Sequence, residues 1–486
     1  METPLGVAFA RLAAAGPRRP AVTCGEVTRT RAELEARTNR LARAYQRLGV
    51  RKDSFVTIGL PNGIEFYEAV LAVWKAGATP QPISSRLPAV ERAAIIALAD
   101  PSLVVGVDPA ETPGRAAIGA GFEPDGTLSS DPLPPAIAAS FKAPTSGGST
   151  GRPKLIVGAQ PAAWEALEGF SSLLRIARDG VHLVTGPLYH NGPFTTSLLA
   201  LLQGNHVVVM PRFDAAMALA LIARYRVDWM YAVPTMMHRI WRLPEAERAR
   251  HDLSSLRVVM HMAAPCPPWL KQAWIEWLGG ECILELYGGT EAQSFTVISG
   301  GEWLEHRGSV GRPVFGEMIV LDAEGRALPP GEVGEIWMRR GVDAPPSYRY
   351  VGATAKSRPG NWESLGDMGW KDADGYVYLS DRDTDMILVG GSNVYPAEVE
   401  AALDEHPKVR SSCVIGLPDE EYGNRVHAIV QAAEPFAPDE LAAFLRDRLV
   451  KYKVPKTYEL VTEPLRGDDG KVRRSALRAA RLATTR

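Results

Sequence analysis

The sequence predicts an α/β protein: a large N-terminal domain of parallel-type βα layers with a β-rich subdomain, then a small α+β C-terminal lid. Three observations carry this. Strand-like and helical stretches alternate from Thr30 to Leu286, the rhythm of parallel strands joined by crossover helices. From Gly308 to Arg339 short β segments divided by turns such as Pro330-Gly331 replace that rhythm. The last hundred or so residues carry a small α+β pattern of their own.

Thr30 and Glu33 have capping-box spacing, and Leu34, Leu41, Tyr45 and Leu48 follow at helical period until Gly49. Ser54 to Leu60 reads as a strand, and Ile64 to Ala76 as a helix stopped by Gly77. Pro88 stands where a helix would start, and Leu103–Val107 is again strand-like. Asp108 to Ser140, rich in Pro, Gly and Ala, is expected to be an irregular connection. Val181–Thr185, His206–Met210, Trp229–Val233, Arg257–Met262 and Glu281–Leu286 read as strands, with helices such as Ala215–Tyr225 and Trp269–Leu278 between them. In the C-terminal unit, Val409–Leu417, Val426–Val430 and Tyr458–Val461 are strand-like and Pro438–Lys451 helical.

The 486 residues are 46% hydrophobic and 23% charged, an ordinary globular balance with a net charge of −2. That charge argues against wholesale nucleic-acid binding, which needs a concentrated positive field. Cys24, Cys266, Cys282 and Cys413 form no C-x-x-C pair, so the expectation is reduced thiols and a cytoplasmic location. No apolar run reaches the length of a membrane span.

Chemistry concentrates in Thr145-Ser146-Gly147-Gly148-Ser149-Thr150-Gly151-Arg152-Pro153-Lys154. Glycines let backbone N–H groups approach an anion, hydroxyls donate, and the two cations offset charge, so the segment suits a polyphosphate. It does not fit the Walker A pattern. It does contain G-x-S-x-G, the nucleophile-elbow pattern, with Ser149 at its centre. An elbow needs a helix directly after the serine, whereas Pro153 and a β-like Leu155-Ile156-Val157 follow. A plain Gly/Ser-rich surface loop is the remaining alternative.

Downstream stand Tyr287-Gly288-Gly289-Thr290-Glu291, then Gly366-Asp367, Asp374-Gly375-Tyr376 and Arg382. The stretch from Asp385 to Glu400, with Gly390-Gly391 inside it, and Gly470-Lys471 near the end complete the set. In this order and spacing the motifs resemble the adenylate-forming superfamily, which includes acyl- and aryl-CoA synthetases, luciferases and the adenylation domains of peptide synthetases. The resemblance is to the acyl/aryl-CoA synthetase branch. It implies ATP-dependent activation of a small-molecule carboxylic acid to an acyl-adenylate, with Mg²⁺, followed by transfer to coenzyme A.

The resemblance also assigns roles. Thr145 to Gly151 and Lys154 would wrap the β- and γ-phosphates. Thr290 would bond the α-phosphate, and Glu291 would hold the magnesium ion. Asp367, assisted by Arg382, would take the ribose hydroxyls. Tyr287, followed by Gly288, would stack on adenine, with Ala263, Ala264 and Pro265 on its other side. Lys471 would bridge the carboxylate and the α-phosphate. Gly390 and Gly391 would line the pantetheine tunnel. The domains it implies are residues 1–383 and 384–486, hinged at Thr384 where relatives commonly carry Asp or Lys. Alone, Asp367 is also readable as a turn cap, Lys471 as one cation of a basic tail, and Tyr287 as core.

His190, in Pro187-Leu188-Tyr189-His190-Asn191-Gly192-Pro193-Phe194, would line the acid pocket. Amino-acid-activating members usually place an Asp in this stretch, and none is present here. Tyr231, Val233, Met236, Met237, Met262 and Phe194 are the expected apolar wall. They suit a bulky acid, and the Gly301–Gly311 segment resembles ligases for bile, fatty and polyketide-derived aryl acids; the expectation is an aryl or polycyclic acid, with bile and fatty acids as alternatives. The acceptor thiol stays open between CoA and a separate carrier protein, and a homodimer is the oligomeric expectation.

Overall fold

In the computed structural model the chain is described over residues 2–147, 153–382, 386–389, 392–419, 422–432, 437–467 and 470–484. The central sheet orders its parallel strands Pro20–Cys24, His206–Val209, Val181–Val184, Trp229–Ala232, Val258–His261 and Ile283–Gly288. Side chains alternate across it. Trp229 and Tyr231 enter one hydrophobic core while Met230 and Ala232 enter the other, as the two-residue pleat requires. Helices cover both faces, which is why these strands read as near-continuous apolar runs.

Beyond Ile283–Gly288 the same sheet turns antiparallel, through Phe295–Ser299, Ser309–Phe315, Val377–Arg382, Trp362–Lys371, Gly334–Arg339 and Glu317–Leu321. This is the β-rich segment expected from the turns. A second parallel sheet holds Thr79–Pro82, Phe55–Ile58, Leu103–Val105 and Ala117–Ile118. The C-terminal unit builds the hairpin Val409–Asp419 and Gly423–Ala432, with Thr457–Val461 parallel to its second strand.

The Thr30–Glu33 capping box forms at the start of helix Arg31–Arg47. The Asp108–Ser140 connection holds one short 3₁₀ turn, Pro109–Glu111, and the short strand Ala117–Ile118. The C-terminal helix is shorter than its periodicity suggests, Pro438–Arg446, and a 3₁₀ turn follows at Lys451–Lys453. No described helix is long and apolar enough to cross a membrane.

Candidate functional site

Four adjacent parallel strands end on one side of the sheet, and in such folds ligands bind outside those carboxyl ends. The chain after Val181–Val184 runs to His190, which precedes helix Asn191–Leu202. After Trp229–Ala232 come Val233 and helix Pro234–Trp241. After Val258–His261 come Met262 and Ala263, the latter held at φ 75°. Ile283–Gly288 leads to Thr290, Glu291 and Ala292, the last at φ 55°. Left-handed alanines are strained, and both lie beside motif residues.

Thr145–Gly147 pairs antiparallel with Pro153–Gly158, so the described ends of the phosphate-type segment are two paired strands. The next described element is a strand, Pro153–Gly158, whereas a nucleophile elbow is followed by a helix. Gly148, Ser149, Thr150, Gly151 and Arg152 themselves lie outside the described residues, as do Thr384, Gly390 and Gly391. Ser146 stands opposite Lys154 in the hairpin. Thr145 Oγ1 accepts from Gln81 Nε2 at 2.7 Å, which ties the hairpin to the second sheet.

Lys154 and Glu291 meet. The ammonium is 3.6 Å from Glu291 Oε1 and 3.9 Å from the Tyr350 ring centroid. Tyr350 donates its hydroxyl to the same Oε1 at 2.6 Å, and Ser347 Oγ donates to the Glu291 carbonyl at 2.6 Å. Burial first, then the Glu291 charge, push the Tyr350 phenol well up, so it stays a donor. Strand Tyr348–Val351 reaches the site by pairing with Pro153–Gly158. Nothing in the sequence singled out Tyr350 or Ser347.

Tyr287 and Asp367 also meet: the phenol donates to Asp367 Oδ2 at 3.0 Å. Asp367 is paired with Arg382 in the strand register. Asp374-Gly375-Tyr376, in contrast, is a structural turn. Tyr376 donates to Glu302 Oε1 at 2.6 Å and stacks on His306 with centroids 3.5 Å apart. The Gly301–Gly311 segment belongs to the same packing, with Trp303 buried in the core. It therefore says little about the acid.

The apolar wall is smaller than expected. Tyr231, Val233, Met236 and Phe194 share one core with Met262 packed against it, but Met237 faces the opposite core with Ile240 and Trp274. Sequence spacing alone did not separate the two methionines. A Cβ on Gly192 would come within 2.7 Å of the Tyr231 ring and 3.2 Å of Met262 Sδ, so the helix turn lies directly on this wall.

Lys471 is exposed on a tight turn where Gly467 N–H donates to the Lys471 carbonyl at 3.0 Å. Gly470, at φ 75°, packs so closely that a Cβ there would lie 2.7 Å from Thr235 Oγ1 and 2.9 Å from Val233. The C-terminal unit thus touches Val233 and Thr235 through the turn that carries Lys471. A second contact is Arg242, whose guanidinium donates to the carbonyls of Pro407 at 2.9 Å, His406 at 3.1 Å and Asp404 at 3.4 Å.

The four cysteines are free thiols. Burial pushes each upward, Cys282 to about 11 and Cys413 to about 12, so none supplies a thiolate at neutral pH.

Comparison with known proteins finds relatives across both units. Residues 9–342 match the AMP-binding enzyme family, and residues 398–467 match the AMP-binding enzyme C-terminal domain. The chain is 33% identical to feruloyl-CoA synthase of an Amycolatopsis species, over 96% of this chain and 97% of that one. It is 31% identical to the fatty acid–[acyl-carrier-protein] ligase ScoC of Streptomyces coeruleorubidus, over 95% and 93%. Among solved structures, o-succinylbenzoate CoA synthetase of Bacillus subtilis with its acyl-adenylate intermediate superposes at a TM-score of 0.83, with 25% identity and 98% of each chain covered.

Proposed function

The chain belongs to the AMP-binding enzyme family, in its acyl- and aryl-CoA ligase branch, and on that premise we propose that it converts a bulky aryl or polycyclic acid to its CoA thioester. A carboxylate is a poor electrophile because oxide would have to leave. Its oxygen attacks the α-phosphorus of ATP, forming a mixed anhydride and releasing pyrophosphate. The CoA sulfur then attacks the acyl carbon, and AMP leaves with the electron pair.

The observation that carries the reading is the contact of the Lys471 turn with Val233 and Thr235. It supports a role for the neighbouring Lys471 at the proposed acid wall. There the ammonium offsets the charge that develops between the carboxylate and the α-phosphate. Lys154, with the hydroxyls of Thr145 and Ser146, takes the terminal phosphates. Thr290 bonds the α-phosphate. Asp367 accepts from the ribose, and Tyr287 stacks on adenine while bonded to Asp367. His190 borders the acid.

A magnesium ion fits Glu291. The carboxylate is 6% exposed, and its contacts to Tyr350 and Lys154 are both on Oε1. One protein carboxylate suits a hard cation that takes its other ligands from phosphate and water. When bound, the ion neutralises triphosphate charge. The body covers residues 1–383 and the lid residues 384–486, pivoting at Thr384 so that Gly390 and Gly391 reach the thiol path in the second half-reaction.

The acid class rests on the apolar wall of Tyr231, Val233, Met236, Met262 and Phe194. A second reading, loading of a carrier protein, is favoured by the likeness to the carrier-protein ligase. ATP–pyrophosphate exchange with aryl, bile and fatty acids tests the first half-reaction. AMP release with free CoA tests the second. Exchange without CoA-dependent AMP release would favour the carrier reading, and no exchange with any acid would reject both.

A further inference from the structure

We propose that Lys142 binds the carboxylate of the incoming acid, from a buried seat made by Asn191 and Thr195 at the first turn of helix Asn191–Leu202. The proposal rests on the ligase reading above.

Lys142 lies just ahead of the phosphate hairpin and is 7% exposed. Its ammonium donates to Asn191 Oδ1 and, at 3.3 Å, to Thr195 Oγ1. Both partners are neutral. The other buried lysines among the described residues have carboxylates in contact: Lys75 has Glu35 at 2.7 Å, and Lys271 has Glu285 at 2.5 Å. A buried charge is expensive unless it is paired, so an ammonium among neutral oxygens favours an anion from outside the chain. An ammonium has three donors, and Asn191 and Thr195 take two.

Location identifies the anion. Asn191 is followed by Gly192, which lies on Tyr231 and Met262 of the acid wall. The Lys142 ammonium is also close enough to Glu291 to feel its charge. The seat is therefore near both the proposed acid wall and the proposed metal carboxylate, and an acid held there would have its carboxylate within reach of the triphosphate side. Burial pushes the group down to about 7, against the opposing pull of Glu291, so an arriving carboxylate would favour its charged form. Lys142 then works from the body and Lys471 from the C-terminal unit on the same charge.

The test uses Lys142→Met, which keeps the bulk and removes the charge, and Asn191→Asp, which gives the ammonium a built-in carboxylate. Ferulate, 2-succinylbenzoate and decanoate are titrated calorimetrically into the full chain, and each is assayed by ATP–pyrophosphate exchange. Both variants should weaken, by tenfold or more, the binding and KM of whichever acid the wild type takes. KM for ATP should stay within twofold, and the thermal midpoint should not fall. Unchanged acid binding, a rise in KM for ATP instead, or a fall in thermal midpoint with acid binding intact each overturns the proposal, as does a wild type that binds none of the acids. Acid binding that depends on Lys142 without exchange would overturn the ligase reading and leave the seat. Exchange that neither variant alters would do the reverse.

Discussion

Tyr287 donates its hydroxyl to Asp367 Oδ2 at 3.0 Å, joining the end of strand Ile283–Gly288 to strand Trp362–Lys371. Two motif residues 80 positions apart thereby form one unit. The bond orients the carboxylate proposed to take the ribose. Tyr287→Phe keeps the ring and loses the bond, a loss of about 1 kcal/mol. KM for ATP should rise roughly fivefold, in line with that energy, with KM for the acid unchanged. If stacking were the only role of Tyr287, steady-state kinetics would show no change in KM for ATP.

Lys471 should matter for only one half-reaction. Lys471→Ala should slow acyl-adenylate formation by roughly 10²–10³-fold, the size of losing one preorganised charge contact. Thioester formation from a supplied acyl-adenylate should persist. Equal loss in both half-reactions would remove the bridging role.

Arg242 holds the C-terminal unit in the arrangement that presses the Lys471 turn against Val233 and Thr235. Arg242→Ala removes charge-assisted bonds worth about 1.5–3 kcal/mol each in favourable cases and far less at half-exposed sites. Adenylation should slow about tenfold, while conversion of a supplied acyl-adenylate is unchanged or faster. Separate half-reaction rates decide it: equal slowing of both would leave Arg242 no role in the pose.

Asp404 gives a pH signature. Burial, opposed by Arg466 and the Ser412 bond, pushes its carboxyl up to about 6 from an ordinary 3.8. The folded chain then holds a proton between these values that the unfolded chain has released. Its contribution to stability is present below about pH 4 and is lost as pH rises through about 6, to a limit of about 3 kcal/mol. Asp404→Asn should abolish that part of the slope in thermal midpoints measured from pH 4 to 7. An unchanged slope would exclude Asp404 as its source.

The phosphate hairpin, the Tyr287–Glu291 segment and Asp367 were legible because each is a contiguous run with its own chemistry. Tyr350 was not. It reaches Glu291 across 59 residues through a strand pairing that no local pattern encodes. Lys142 reads as an ordinary charge until Asn191, 49 residues on, covers it. Helix Asn191–Leu202 escaped periodicity for another reason: every residue from Pro193 to Leu202 is buried, so it has no polar face to set a period. Capping chemistry, by contrast, fixed the start of Arg31–Arg47 from two residues alone.

Among the described residues the hydrogen bonds of Arg242 to the C-terminal unit go to three main-chain carbonyls, while its charge also couples to the Asp404 side chain. The main-chain bonds recognise where the end of helix Pro396–Asp404 lies, not which residues compose it. They can therefore survive changes of identity at 404–407, whereas the charge contribution of Asp404 cannot. For these main-chain bonds a covariation survey of related sequences would find little, although they tie the two units together.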